Sequence, residues 1–223
     1  MFRDRQEAAE RLAERLLYLR GRDPVVLALP RGGVPIGVEV ARVLAAPLDL
    51  LLVRKIGTPG QPELALGAVV DGERMDFVVN EDVREALGLS LEFVEEQAKD
   101  QVAEIERRRR VYLGGRDPVR VCGRTVVVVD DGIATGATMR AALRAVRRRR
   151  PARLVLAIPL APVETLDALR WEVDEIVCLE MPSPFGSIGS FYHDFGQVSD
   201  EEVRDLLGRA EWPKRERNSE STT

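Results

Sequence analysis

The fold is decided by the stretch Val126-Val127-Val128-Val129-Asp130-Asp131-Gly132-Ile133-Ala134-Thr135-Gly136-Ala137-Thr138. Its four consecutive valines are β-branched and apolar, and they predict a strand that is buried on both faces, as in a parallel sheet. Two carboxylates follow, then a loop of small and hydroxyl residues, and then a helical run from Met139 to Arg149. This order brings backbone N–H groups and a helix N-terminus together around an anion.

The acidic pair Asp130 and Asp131 restricts what can bind beside that loop. Two carboxylates would repel a phosphate unless sugar hydroxyls or a divalent cation lay between them. A nucleotide-binding P-loop fits worse because the stretch has no lysine, and a dinucleotide fingerprint fits worse because it places its acid after the loop rather than before it. A phosphorylatable aspartate at a strand end stays open on the acids alone, but it leaves the Thr135–Thr138 segment unexplained.

Residues 126–138 resemble the phosphoribosyl pyrophosphate signature of the type I phosphoribosyltransferases. The resemblance implies that Asp130 and Asp131 bind the 2′- and 3′-hydroxyls of the ribose. It also implies that the 5′-phosphate is wrapped by Ala134, Thr135, Gly136, Ala137 and Thr138. Mg²⁺ is the implied cofactor, bridging pyrophosphate oxygens and ribose hydroxyls, and it would meet the acidic pair indirectly, through the donor or water.

A second glycine loop, Leu29 to Pro35, follows an earlier predicted strand. Its paired glycines allow successive N–H groups to point at one anion, and its arginine adds charge and a forked donor. Taken alone, the segment is more typical of a tight turn. In the resembled family a loop at this place binds pyrophosphate, so that role is assigned to Arg31, Gly32 and Gly33.

Arg54 and Lys55 end the next predicted strand and are similar to the Arg-Lys pair of orotate phosphoribosyltransferases. The resemblance makes them candidate catalytic residues that balance the charge on the departing pyrophosphate. A solvated strand end explains the two cations equally well.

The segment 184–195 resembles the base-binding end of hypoxanthine-guanine phosphoribosyltransferases. The resemblance implies that Phe185 stacks on a nucleobase and that Asp194 faces the base or the metal. Those enzymes carry a lysine that reads a purine oxygen, and the corresponding stretch Leu154–Leu160 has none. A 6-oxopurine acceptor is therefore not supported, and aromatic residues also commonly serve as core.

Strands alternate with helices along the chain, which predicts an α/β fold. The expected architecture is a doubly wound parallel sheet of the type I phosphoribosyltransferase type. A single domain at 1–210 would carry a small C-terminal hood at about 180–198 and a helical insertion at about 80–115, and a disordered tail would follow at 211–223.

Local signals refine this outline. Leu48 to Val53 is predicted as one strand, and Asp71-Gly72 signals a hairpin between strands Leu66–Val70 and Met75–Val79. Ser90 is predicted to cap a long helix that ends near Tyr112.

Net charge, apolar segments and cysteine spacing argue against several classes of protein. The 33 basic and 37 acidic residues give a net charge of −4, which argues against a dedicated nucleic-acid binder. No segment is apolar enough to span a bilayer, no secretory signal is evident, and the two cysteines lack metal-ligand spacing. We therefore expect a cytoplasmic protein without a membrane partner.

The resemblance implies transfer of 5-phosphoribose from phosphoribosyl pyrophosphate to a nitrogen nucleophile, with a nucleobase as the expected acceptor and a homodimer as a common assembly of the fold. One alternative is a regulator that senses nucleotides and binds RNA or a protein partner through the basic runs Arg107–Arg110 and Arg147–Arg150, although solvated helix ends are the simpler interpretation of those runs. Another is an enzyme that acts on a different phosphorylated sugar.

Overall fold

Two sheets and seven α-helices organise the residues that the computed structural model describes, which are 1–58, 61–72 and 75–210. The helices are α1 (Arg5–Arg15), α2 (Gly33–Leu44), α3 (Glu81–Ala86), α4 (Leu91–Leu113), α5 (Ala137–Arg148), α6 (Val163–Leu169) and α7 (Asp200–Arg209). The strands are β1 (Pro24–Ala28), β2 (Leu48–Leu50), β3 (Val53–Thr58), β4 (Gln61–Val70), β5 (Asp76–Val79), β6 (Thr125–Val129), β7 (Arg153–Leu160) and β8 (Glu175–Glu180). The tail expected at 211–223 lies outside the described residues.

The main sheet has the strand order β2-β1-β6-β7-β8, and every neighbouring pair is parallel. Its central strand β6 is the predicted valine run, and all of its residues are buried. Val127 and Val129 pack into the core formed with α1 and α2, whereas Val126 and Val128 pack against α5. Both faces of the sheet are therefore covered by helices, as the β-branched run predicts, and the α/β fold is confirmed.

The single strand predicted from Leu48 to Val53 is wrong. β2 ends at Leu50, where it pairs with Ala28 of β1, and Val53 already begins β3 in a second sheet. Leu51 and Leu52, between the two strands, are apolar and buried. The apolar pattern therefore continues without a break and does not reveal that the chain changes sheets there.

The second sheet is antiparallel, in the order β3-β4-β5. The predicted antiparallel pairing is confirmed, since Val70 of β4 lies opposite Asp76 of β5, but β4 begins at Gln61 rather than Leu66, and residues 73–74 lie outside the described residues. The neighbours Val69 and Val70 point to opposite faces of this sheet, and both faces are packed. Val70 and Val78 pack with α5, and Leu66 and Val69 pack with α4.

Helix α4 begins as predicted, because the Ser90 side chain accepts a hydrogen bond from the Phe93 N–H. Near its other end, Arg109 reaches into the protein. Its guanidinium lies 2.6 Å from Asp71 and 3.4 Å from Asp49, two carboxylates that are almost fully buried. This buried cluster ties α4 to both sheets, because Asp49 lies in β2 and Asp71 directly follows β4.

The expectation that the basic runs are solvated helix ends is wrong for Arg109, because its charge is compensated inside the protein. Arg107 and Arg108 fit it better, since both pair with Glu104 at the surface of α4. In the second run, Arg147 pairs with Asp174 and Arg148 with Asp76.

None of the helices in the described ranges is long and apolar enough to cross a membrane.

Replacing Arg109 with methionine should destabilise the protein by about 3–5 kcal/mol, because it leaves the buried carboxylates of Asp49 and Asp71 without their cation. Arg107→Met is the matched control on the same helix, and it should leave stability nearly unchanged because its partner is at the surface. Urea denaturation of the two variants measures the difference, and equal midpoints would contradict the structural role of the cluster.

Candidate active site

The two predicted anion loops lie side by side at the carboxyl ends of β1 and β6. The strands are paired up to Ala28 and Val129, and the Leu29 N–H donates to the Val129 carbonyl. A Cβ added to Gly32 would lie 2.0 Å from a carboxylate oxygen of Asp131, and one added to Gly33 would lie 2.9 Å from the Asp130 Cα. A side chain at either position would displace the acidic pair, so both positions favour glycine, and the loop assigned to pyrophosphate lies against that pair.

The predicted phosphate loop leads directly into α5. Gly136 has a φ of +76°, and no side chain caps the helix. The first N–H groups of a helix have no intrahelical acceptor, so they can bind an anion. Ala134, Thr135, Ala137 and Thr138 are exposed, as ligand-binding positions require, whereas Gly136 is buried.

Thr165 holds this loop in place, and the sequence did not point to it. Its hydroxyl donates to the Ala134 carbonyl at 2.7 Å, and its methyl group would meet a Cβ at Gly136 at 2.8 Å. The residue lies in α6, and its single hydroxyl gives no sequence signal of a contact with a loop about 30 residues earlier.

The two acids of the pair have different surroundings. Asp131 is buried, and one of its oxygens accepts a hydrogen bond from the Arg5 Nε at 2.8 Å. Asp130 is half-buried, and its Oδ1 accepts the Asp131 N–H at 2.9 Å.

Burial raises the pKa of Asp130 well above its ordinary value, and the neighbouring charge of Asp131 raises it further. Burial also raises the pKa of Asp131, although the hydrogen bond and charge of Arg5 act in the opposite direction. A pair of this kind favours a bound ligand that brings positive charge or hydroxyl donors, which agrees with the chemistry expected from the sequence.

Arg54 and Lys55 do not act as a pair, because successive residues of β3 point to opposite faces of the sheet. Arg54 donates to the Gln101 side chain of α4 at 3.1 Å. Lys55 lies on the other face, where it lines a cleft with Thr135 and Thr138. The structure thus places Lys55 beside the phosphate loop and directs Arg54 away from it.

That cleft has a volume of about 440 Å³ and lies between the antiparallel sheet and the first turns of α5. Its cations are Lys55, Arg140 and Arg144, and Asp82 is its acid. Arg144 also pairs with Glu172 at 2.9 Å, so the cleft beside the predicted phosphate loop is lined by both basic and acidic side chains.

Arg31, assigned to pyrophosphate, is half-buried and lies 3.6 Å from the carboxylate of Asp200. Asp200 also accepts a hydrogen bond from the Tyr112 hydroxyl at 2.7 Å. In this structure the guanidinium is therefore turned towards the start of α7. The peptide bond between Pro30 and Arg31 is cis.

The segment predicted as a hood, 180–198, is tied to the N-terminus of the chain. The Phe2 N–H donates to the Phe191 carbonyl, and the His193 N–H donates to the carbonyl of Phe2. Phe185 is half-buried with its ring 5.4 Å from that of Phe191, while Asp194 is exposed and accepts a hydrogen bond from a backbone N–H two residues later. The roles of Phe185 and Asp194 in binding a base stay predictions.

Within the described ranges no group of three or more His, Cys, Asp or Glu side chains is placed to hold a metal ion. Asp130 and Asp131 offer carboxylate oxygens, which suit Mg²⁺, an ion that commonly takes one or two carboxylates and fills its shell with phosphate oxygens and water. These two carboxylates therefore fit a Mg²⁺ ion whose other ligands would come mainly from the substrate and water.

The parallel sheet, with two glycine loops and an acidic pair at one edge, defines an α/β protein of the type I phosphoribosyltransferase fold. Residues 3–195 match the model of the phosphoribosyl transferase domain family, and the chain belongs to that family.

A crystal structure of the protein TT1426 from Thermus thermophilus is similar to this chain with 42% identity and a TM-score of 0.82, covering 94% of this chain and 98% of that one. Two Mycobacterium tuberculosis proteins, named "Putative phosphoribosyl transferase Rv0571c" and "Putative phosphoribosyl transferase MT0597", are 45% identical over 210 residues. The match covers 94% of this chain and 47% of each relative, so the chain spans about half the length of these relatives.

The comparisons lend no support to the regulatory alternative. Its basis was the two arginine runs, and five of their arginines pair with carboxylates of this same chain: Arg107, Arg108, Arg109, Arg147 and Arg148.

Asp130→Asn should raise the melting temperature of the protein near pH 8. A carboxyl whose pKa is raised in the folded state binds its proton more tightly there than in the unfolded chain, so its contribution to stability is lost as pH rises through the folded pKa. The amide removes this loss, and its advantage over the wild type should shrink as pH falls to about 4, the ordinary range of aspartate.

Thermal unfolding in EDTA between these pH values measures the effect, with Asp194→Asn as the control at an exposed position. An Asp130→Asn protein that is no more stable than the wild type near pH 8 would show that the carboxyl is not destabilising the fold.

Proposed function

We propose that this phosphoribosyltransferase-family protein transfers 5-phosphoribose from phosphoribosyl pyrophosphate to a nitrogen nucleophile, with a nucleobase as the expected acceptor. The contact between Gly32 and Asp131 is the observation that carries the proposal. There a glycine loop lies beside the acidic pair. The acidic pair is followed by residues 132–136 and then by the N-terminus of α5, which no side chain caps. Phosphoribosyl pyrophosphate carries a pyrophosphate, a diol and a terminal phosphate, in the same order as the glycine loop, the acidic pair and the helix N-terminus.

The reaction breaks the bond between C1′ and pyrophosphate, gives the ribose oxocarbenium character, and forms a bond from C1′ to nitrogen. The loop at 134–138 would bind the 5′-phosphate through helix N–H groups and threonine hydroxyls, and the acidic pair would orient the ribose diol. These contacts fix C1′ relative to the acceptor, so positioning supplies much of the acceleration.

Charge stabilisation would come from the loop at 31–33. The N–H groups of Arg31 and Gly32 and the guanidinium of Arg31 would stabilise the negative charge that develops on pyrophosphate, whereas the Gly33 N–H donates to the Leu29 carbonyl at 3.0 Å. Turning to the donor would break the 3.6 Å ion pair of Arg31 with Asp200, which is longer than a hydrogen bond and joins two partly exposed side chains, so its loss costs little. When bound, Mg²⁺ would supply additional charge neutralisation at the pyrophosphate oxygens.

The double variant Asp130→Asn/Asp131→Asn should abolish tight binding of phosphoribosyl pyrophosphate, because amides cannot accept from both hydroxyls as strongly as carboxylates do. Calorimetry with Mg²⁺ present measures this, with Asp205→Asn, at an exposed position of α7, as the control. Affinity close to that of the wild type would contradict the proposed donor site.

A panel of nucleobases and small amines, assayed by release of pyrophosphate, tests the transfer itself. We expect turnover with at least one nitrogen nucleophile and none with the double variant. Donor binding without turnover anywhere in the panel would contradict the transferase assignment while leaving the donor site intact.

A further inference from the structure

Arg5 joins the acidic pair to the 180–198 segment, although it lies far from both in the sequence. Its Nε donates to an Asp131 carboxylate oxygen at 2.8 Å, and its Nη1 donates to the Gly196 carbonyl at 2.7 Å. Its guanidinium carbon lies 3.8 Å from the centre of the Phe195 ring. The side chains of Arg5 and Asp131 are only 13% and 11% exposed, so this ion pair is largely withdrawn from water.

The same carboxylate is enclosed from other directions. The Asp131 Oδ2 that accepts from Arg5 is also the atom that a Cβ at Gly32 would meet. The Tyr192 hydroxyl donates to the Asp131 backbone carbonyl at 2.7 Å, and the Tyr192 ring stacks on Phe195 with centroids 4.9 Å apart. Asp131 is therefore held between the start of α1, the pyrophosphate loop and the 180–198 segment.

Asp130 differs in the features that matter for a ligand. As a residue it is half-buried where Asp131 is buried, and the hydrogen bond of Arg5 goes to its neighbour, although its own Oδ1 accepts the Asp131 N–H and would lie 3.2 Å from a Cβ at Gly33. A hydroxyl that binds Asp131 would compete with a charge-assisted bond in a site of low dielectric, which is among the stronger hydrogen bonds in proteins. A hydroxyl that binds Asp130 meets no such competitor from Arg5.

We propose that Arg5 is a positioning residue of the donor site, which clamps Asp131 against the pyrophosphate loop and leaves Asp130 as the carboxylate that binds the ribose diol. The proposal rests on the proposed function and divides a task that the sequence resemblance gave to both acids. It follows that the two acids affect different parts of the donor. Asp130 governs the sugar, whereas the Arg5–Asp131 pair governs the shape of the loop that receives pyrophosphate.

Two probes separate these effects in the intact chain. Ribose 5-phosphate carries the diol and the terminal phosphate, and phosphoribosyl pyrophosphate with Mg²⁺ adds the pyrophosphate. Asp130→Asn should weaken binding of both probes at least about tenfold, the loss of a charge-assisted hydrogen bond. Arg5→Met should weaken binding of phosphoribosyl pyrophosphate by about tenfold as well, but binding of ribose 5-phosphate by less than about threefold. Arg5→Lys should recover part of the lost affinity for phosphoribosyl pyrophosphate.

Arg11→Met is the matched control. Arg11 lies on the same helix, pairs with Glu180 at 2.9 Å and lies over the Phe2 ring, so it makes the same kinds of contact away from the acidic pair. The affinity of the Arg11→Met variant for both probes should equal that of the wild type. The double variant Arg5→Met/Asp131→Asn should bind phosphoribosyl pyrophosphate no more weakly than Arg5→Met alone, because the two residues act through one contact.

An Asp131→Asn variant that loses ribose 5-phosphate as severely as Asp130→Asn would overturn the division of labour. Wild-type affinity of Arg5→Met for phosphoribosyl pyrophosphate, in a protein shown to be folded by circular dichroism, would overturn the positioning role. Failure of the wild type to bind either probe would instead refute the proposed function, and the inference with it.

Discussion

The carboxylate of Asp131 lies between Gly32 and the guanidinium of Arg5, and the candidate site depends on this contact. Pairing of β1 with β6 starts the two anion loops side by side, and the close approach at Gly32 then leaves no room for a side chain. A buried carboxylate is costly unless it is paired and hydrogen-bonded. Arg5 compensates the charge of Asp131, so an acidic pair can lie at the carboxyl end of an apolar central strand.

A second buried cluster, Asp49, Asp71 and Arg109, has a related role in the architecture. It joins β2, the end of β4 and helix α4, and thereby fixes the antiparallel sheet relative to the main one. The orientation of that sheet decides that Lys55 faces the phosphate loop across the cleft. In both clusters an arginine distant in sequence compensates carboxylates that the fold buries.

The sequence predicted the features that depend on local pattern. The valine run, the capped start of α4 and the hairpin after Val70 each follow from a short signal, and the family resemblance located the two loops. The separation of β2 from β3 was missed because residues 50–53, on both sides of the break, are all apolar. The buried ion pairs of Arg5 and Arg109 were missed for a different reason: each is one charged residue among many in a helix, and the carboxylates that it pairs with are far away in the chain.

A crystal structure with phosphoribosyl pyrophosphate and Mg²⁺ tests the central claim most directly. The account predicts that the terminal phosphate lies on the loop at 134–138, the ribose diol on Asp130, and the pyrophosphate on the loop at 31–33, with the Arg5–Asp131 pair intact. A donor bound elsewhere, or a diol held by Asp131 after that pair has separated, would contradict it.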